Sequence, residues 1–141
     1  MKGYIIEESS KNEAELVIDN LVTYNLSKVP QIQEDPFIYI NRVIKNNEEK
    51  IIAGINSKMY CWNCLYIDSL WVHANFRKKG FGVKLLNEIE KIAKKKGCKL
   101  IHLDTFDFQA KDFYIKQGYE IFGVLNDCPD NHNRYYIKKT L

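Results

Sequence analysis

The chain is short of the features that mark membrane-spanning, exported or disordered proteins. No stretch approaches the ~20 consecutive apolar residues that a membrane helix requires. Near the N-terminus only Ile5-Ile6 precedes Glu7-Glu8, too little apolar length for an export signal. Proline is scarce, with three in 141 residues, and the seven glycines show no period, which argues against a collagen-like repeat or a low-complexity tail. Without an export signal the expected location is cytoplasmic. The four cysteines (Cys61, Cys64, Cys98 and Cys128) are then expected as free thiols.

What is present suits a packed core. Hydrophobic residues make up 45% of the chain and charged residues 28%, with nine Tyr, seven Phe and two Trp. Such a length and composition predict one globular domain over residues 1–141, large enough to bury its apolar surface without staples.

The net charge of +3 conceals an asymmetry. Residues 77–99 hold nine of the 21 basic side chains against only Glu88 and Glu90, while residues 1–76 and 100–141 are each net acidic. A local basic excess attracts polyanions: nucleic acid, an anionic surface or a phosphorylated cofactor. It also fits a solvated lysine-rich helix face.

Ser10 and Glu13 form an S-x-x-E capping box ahead of Ala14, Val17, Ile18, Leu21, Val22 and Leu26 at helical spacing, so a helix is predicted there. A short strand is expected before it, at Gly3–Glu7. Phe37–Ile44, Ile51 to Cys61 and Leu65–Val72 read as strands, with a turn at Asn46–Lys50. Leu65–Val72 is apolar on both faces except at Asp68 and Ser69, the pattern of a central covered strand. A carboxylate there is costly unless it is paired or needed. Phe81–Lys96 has the strongest helical pattern, closed by Gly97. Leu100–Leu103, Tyr119–Leu125 and Arg134–Ile137 read as strands, and Gln109–Gln117 as a short helix ended by Gly118. The resulting order, β α β β β α β α β β, predicts an α/β (α+β) fold with a mixed, mostly antiparallel sheet of six to seven strands flanked by helices.

The chemistry concentrates where a strand runs into a helix, at Asp68-Ser69-Leu70-Trp71-Val72-His73-Ala74-Asn75-Phe76-Arg77-Lys78-Lys79-Gly80-Phe81-Gly82. Glycines at a helix start let the backbone approach a ligand and aim several N–H groups at it. The helix N-terminus adds unpaired donors and partial positive charge, and Arg77, Lys78 and Lys79 add full charges. These features converge on a di- or polyphosphate. The segment is neither a P-loop, lacking G-x-x-x-x-G-K-[ST], nor a dinucleotide turn, lacking the third glycine.

Arg77-x-x-Gly80-x-Gly82 after a central strand resembles the R/Q-x-x-G-x-G/A signature of the GNAT acyl-CoA-dependent N-acetyltransferases. A second match is Ala110-Lys111-Asp112-Phe113-Tyr114-Ile115-Lys116-Gln117-Gly118-Tyr119, similar to the family's A-x-x-F/L-Y-x-x-x-G-F/Y element. The resemblance implies a GNAT-like acyl-CoA N-acyltransferase fold and acetyl-CoA as co-substrate, with no metal. It implies that the amides of Arg77, Lys78, Lys79, Gly80, Phe81 and Gly82 hold the pyrophosphate, and that Leu70, Trp71 and Val72 run along the pantetheine arm. By the same resemblance, Tyr114 protonates the departing thiolate. A phenol, protonated at pH 7, is chemically suited to that step. Asp68 lies where many relatives carry a carboxylate; it can accept a proton from the attacking amine, or it only bonds backbone or a lysine. Where many relatives have Asn, this chain has Asp107, which cannot donate as an amide does, and Gln109 is a substitute donor.

Cys61-Trp62-Asn63-Cys64 has C-x-x-C spacing, but no second Cys or His pair accompanies it and it does not sit at a helix start, where redox thiols are activated. Phe106, Phe108 and Phe113 fit core packing better than a substrate cage. His132-Asn133-Arg134-Tyr135-Tyr136 either borders the acceptor pocket or pairs across the sheet. The predicted acceptor is a small-molecule amine, read by residues 24–40, the 56–64 hairpin and the C-terminal strands; no nucleic-acid or membrane partner is expected, and pairing of exposed terminal strands would give a homodimer. Two rival readings are a nucleic-acid-binding module using the 77–99 stripe and a non-catalytic acyl-CoA-binding regulator.

Overall fold

The computed structural model describes residues 2–141, which form two compact units, 2–31 and Ile32–Leu141. The first holds α1 (Lys11–Lys28). Its start follows the capping-box expectation: the Ser10 hydroxyl accepts from the Glu13 N–H at 3.1 Å, and the Glu13 carboxylate accepts from the Ser10 N–H at 2.9 Å. The N–H donation holds the Glu13 carboxyl below its usual range. The strand expected at Gly3–Glu7 is absent; these residues are a turn and exposed irregular chain. Two apolar residues, Ile5 and Ile6, are too few to fix a strand without a paired neighbour.

The second unit is built on seven strands: β1 (Phe37–Tyr39), β2 (Arg42–Lys45), β3 (Ile51–Tyr60), β4 (Cys64–Val72), β5 (Leu100–Phe106), β6 (Glu120–Asn126) and β7 (Asn133–Thr140). Between them lie α2 (Phe81–Lys95) and α3 (Lys111–Lys116). The sheet order is β1-β3-β4-β5-β7-β6, with β2 also on β3. Every pair is antiparallel except β4–β5, which α2 joins by a crossover, as a parallel neighbour requires. The sheet is therefore mixed, mostly antiparallel and flanked by helices.

The strand expected over Phe37–Ile44 is broken in two. At the break the Ile40 N–H still donates to the Ser57 carbonyl at 2.9 Å, but the Asn41 side chain accepts the Ser57 N–H at 3.0 Å and the Ser57 hydroxyl donates to the Ile40 carbonyl. Side chains there take over part of the backbone pairing. The core joins Ile55, Met59, Leu65, Ile67, Ile101, Leu103 and Ile137 from the sheet to Leu85, Leu86, Ile89 and Ala93 of α2. The lysines of α2 lie on its exposed side, and Gly97 closes the helix at φ +91°.

Candidate active site

The site begins where two parallel strands part. β4 and β5 pair only from Cys64↔Leu100 to Ile67↔Leu103. Beyond that β5 continues to Phe106 on β7 alone, while β4 continues to Val72 on β3 alone. On the β3 side, Asn56 faces Ser69 and Ser57 faces Ile67, so Asp68 is the extra residue of a bulge. A bulge bends its strand and re-aims a side chain. Asp68 is thus on the central strand, but exposed rather than covered on both sides. Its carboxylate pairs with no cation and accepts no hydrogen bond among the described residues, and exposure removes the burial cost that the sequence pattern implied.

The wedge opens into a cavity of about 840 Å³. It is lined by β4 from Ile67 to Val72, by the 76–83 loop and helix start, and by β5, its following loop and α3 from Leu103 to Tyr114. The loop is shaped by backbone conformation. Gly80 is the N-cap of α2 at φ +86°, and Lys78 is left-handed at φ +61°. Among the described residues, no hydrogen-bond partner occupies the amides of Lys79 and Gly80 or those of Phe81, Gly82 and Val83 in the first helical turn. That array of unpaired donors at a helix N-terminus fits a pyrophosphate.

The two glycines do different work. A Cβ on Gly80 would meet open space, but its backbone conformation favours glycine; a Cβ on Gly82 would come within 3.3 Å of the Phe113 ring. Gly82 therefore serves helix–helix packing as well as the loop. Arg77 turns back, its Nε donating to the Val72 carbonyl at 3.1 Å. Lys79 lies over the Phe76 ring, 5.5 Å from its centroid.

Tyr114 of α3 is 3% exposed and still lines the cavity. Its ring sits edge-on between Phe113 and Tyr119, and its hydroxyl has no hydrogen-bond partner among the described residues. Burial pushes its pKa above the ordinary phenol value. Asp107 also lines the cavity, but its oxygens are engaged: Oδ1 with His132 Nδ1 at 2.8 Å and Oδ2 with the Asn133 N–H at 2.8 Å. The backbone donor and His132 hold its carboxyl below the usual range. Gln109 Oε1 accepts from the Phe106 N–H at 2.8 Å and from Thr105 Oγ1 at 3.2 Å, leaving the amide nitrogen as its available donor. Phe113 packs against the core, whereas Phe108 is exposed and stacks on Phe106 at 5.2 Å. Arg134–Tyr136 pair across the sheet in β7.

A second cavity of about 420 Å³ is formed by Tyr39, Asn41, Asn56, Ser57, Lys58, Tyr66 and Asp68. Asp68 lines both cavities. Beside it, Tyr66 donates to Asp104 Oδ2 at 2.9 Å, and Asp104 Oδ1 is held by Arg134. Burial and the Asp104 bond push the Tyr66 pKa up to about 12. This network and the second cavity were not read from the sequence. The alternation of Tyr66 and Asp68 along one strand was the available signal, but without the register of β3 it names no partner. Cys61 and Cys64 are free thiols at the β3–β4 turn, and burial raises the Cys61 pKa, the opposite of an activated redox thiol.

A split parallel pair, a donor-rich helix start and a buried phenol thus meet in one cavity. The profile of the acetyltransferase (GNAT) family matches residues 6–119. The chain belongs to that family. An acetyltransferase from Bacillus cereus, known from its crystal structure, has 41% identity and a TM-score of 0.92, with all of both chains covered. A blasticidin-S acetyltransferase of Streptomyces morookaense is 35% identical over 81 residues, covering 57% of this chain and 60% of that protein. The chain thus spans less than two thirds of that relative. A Bacillus anthracis protein assigned as a streptothricin acetyltransferase, solved in complex with acetyl coenzyme A, shares the fold at a TM-score of 0.66 and 23% identity, over 77% of this chain and 66% of that one.

Proposed function

We propose that the protein is an acetyl-CoA-dependent N-acetyltransferase that acetylates a primary amine of a small molecule by direct transfer in a ternary complex, without a metal. The observation that carries the reading is the meeting of two cavities at Asp68, where β4 leaves β5. One cavity has the donors for a pyrophosphate; the other is polar and separate. Relatives named for blasticidin-S and streptothricin support a small-molecule acceptor.

In this reading the amides from Arg77 to Gly82 hold the pyrophosphate, and Leu70, Trp71 and Val72 border the pantetheine arm along the β4 edge that β5 has left. Gln109 offers its amide nitrogen from the opposite wall. Bound acetyl-CoA supplies the thioester. Asp68 attracts the protonated amine and accepts its proton, directly or through water, so that the lone pair can attack. Backbone N–H groups of the opened strand stabilise charge growing on the carbonyl oxygen. Tyr114 then gives its proton to the departing thiolate. A phenol is protonated at neutral pH, and burial keeps Tyr114 so.

The test is calorimetric titration with acetyl-CoA and, separately, with a short DNA duplex, followed by an amine screen. Micromolar acetyl-CoA binding, lost in Gly80→Val, and transfer to an amine are expected. Salt-sensitive DNA binding without cofactor binding would overturn the reading.

A further inference from the structure

The smaller cavity is lined by two residues of opposite charge, Asp68 and Lys58, that form no ion pair with each other. Asp68 stands at one end of its wall, from the β4 bulge, and Lys58 projects from β3. No ion pair joins them, nor does either pair with another charged side chain among the described residues. The Lys58 ammonium lies over the Phe37 ring, 5.0 Å from its centroid. Lys58 faces Tyr66 across the strands, and Asp68 lies two residues beyond Tyr66. Strand rise and spacing then set the two Cα positions roughly 8 Å apart.

Between them the lining is polar. Asn56 donates to Ser69 Oγ at 3.1 Å, and Asn41 accepts the Ser57 N–H, which leaves the Asn41 amide nitrogen free to donate. The Tyr39 and Tyr66 rings complete the wall. A cavity for a simple alkylamine needs only the carboxylate. A lysine in the same cavity would repel a monocation unless the ligand also brought negative charge.

We infer that the acceptor is zwitterionic: a primary amine carrying its own carboxylate or comparable anion several bonds away. The amine sits at Asp68 and the anion at Lys58, making Lys58 a specificity-determining residue. This rests on the acetyltransferase reading above and names the acceptor class for that site. The pairing selects by charge at both ends, so removing the anion from the acceptor leaves Lys58 repelling the amine.

The probes are 6-aminohexanoate, whose ammonium and carboxylate lie several bonds apart, and its neutral-ended counterpart 6-aminohexanamide. Each is titrated calorimetrically into protein saturated with coenzyme A, so that the readout does not depend on turnover. Acetylation of both is measured in parallel. The acid is expected to bind at least about tenfold more tightly than the amide in the wild type. That preference should vanish in Lys58→Met and persist in Lys58→Arg, with coenzyme A affinity the same in all three. Equal binding of acid and amide, or binding of neither, overturns the zwitterion proposal. In that case intact coenzyme A binding and acetylation of other amines leave the acetyltransferase reading standing. If coenzyme A itself does not bind, both fall.

Discussion

Tyr114 is almost wholly buried as a side chain, yet it borders the cavity and its hydroxyl has no hydrogen-bond partner among the described residues. The hydroxyl is not one of the buried side-chain atoms left without a partner among the described residues, which are Asn63 Oδ1 and Tyr119 Oη, so it faces the cavity rather than being sealed in the core. Tyr114→Phe should lower kcat by about 10²-fold or more, as for loss of a general acid, with acetyl-CoA affinity nearly unchanged; single-turnover kinetics and calorimetry separate the two. The pH dependence follows from the sign of the shift. A raised pKa keeps the phenol protonated beyond its usual range, so kcat should show no Tyr114-dependent fall between pH 7 and about 10. A decline with an ordinary phenol pKa, absent in the Phe variant, would contradict this. Asp68 and Lys58 belong to the same scale: each is one side chain, and neither has an ion-pair partner among the described residues.

At the scale of elements, the helix start and the β5–α3 loop are shaped for different demands. Gly80→Ala imposes a side chain on a left-handed backbone, at a cost of about 1 kcal/mol, without filling any space. Gly82→Ala instead forces the Phe113 ring to move, and with it the ring packing beside Tyr114. Gly80→Ala is therefore expected to show mainly in thermal unfolding and cofactor affinity, and Gly82→Ala mainly in kcat. The other wall is tied by Asp107, which joins the loop after β5 to the start of β7. Because its folded pKa is depressed, its stabilisation is present above the ordinary carboxylate pKa and is lost as pH falls through the lower folded value. Thermal melts from pH 5 to pH 2 should fall less steeply for Asp107→Asn than for the wild type.

At the scale of the Ile32–Leu141 unit, the sheet is held to its helices by apolar burial and by one bridging lysine. Lys139 of β7 bonds both Glu90 carboxylate oxygens, at 2.9 and 3.0 Å, and the Gln117 carbonyl at 2.9 Å. It thereby joins β7, α2 and the end of α3. With 28% and 13% of the two side chains exposed, the pair is well shielded, and Lys139→Met should cost about 1–3 kcal/mol in denaturant unfolding. Leu86→Ala, at a fully buried core position, should cost about 2–5 kcal/mol. Neither change touches the cavity linings, so any loss of cofactor binding should follow the loss of folded protein.

Much of the fold was legible because it is locally encoded. The Ser10–Glu13 box, the apolar spacing of α2, Gly97 and the turn at Asn46–Lys50 each act through neighbours a few residues away. The Arg77-x-x-Gly80-x-Gly82 segment was legible for the same reason, since backbone donors at a helix start need only local chain geometry. The strand expected at Gly3–Glu7 and the unbroken strand over Phe37–Ile44 failed because pairing is non-local. One lacks a ladder partner, and the other is interrupted by Asn41 and Ser57, which lie 16 residues apart. Tertiary structure alone decided that β4 parts from β5 after Ile67, that Asp68 occupies a bulge and is exposed, and that Lys58 shares its cavity. Those facts depend on strand register, which a single chain of residues does not state, and on where a parallel ladder stops pairing.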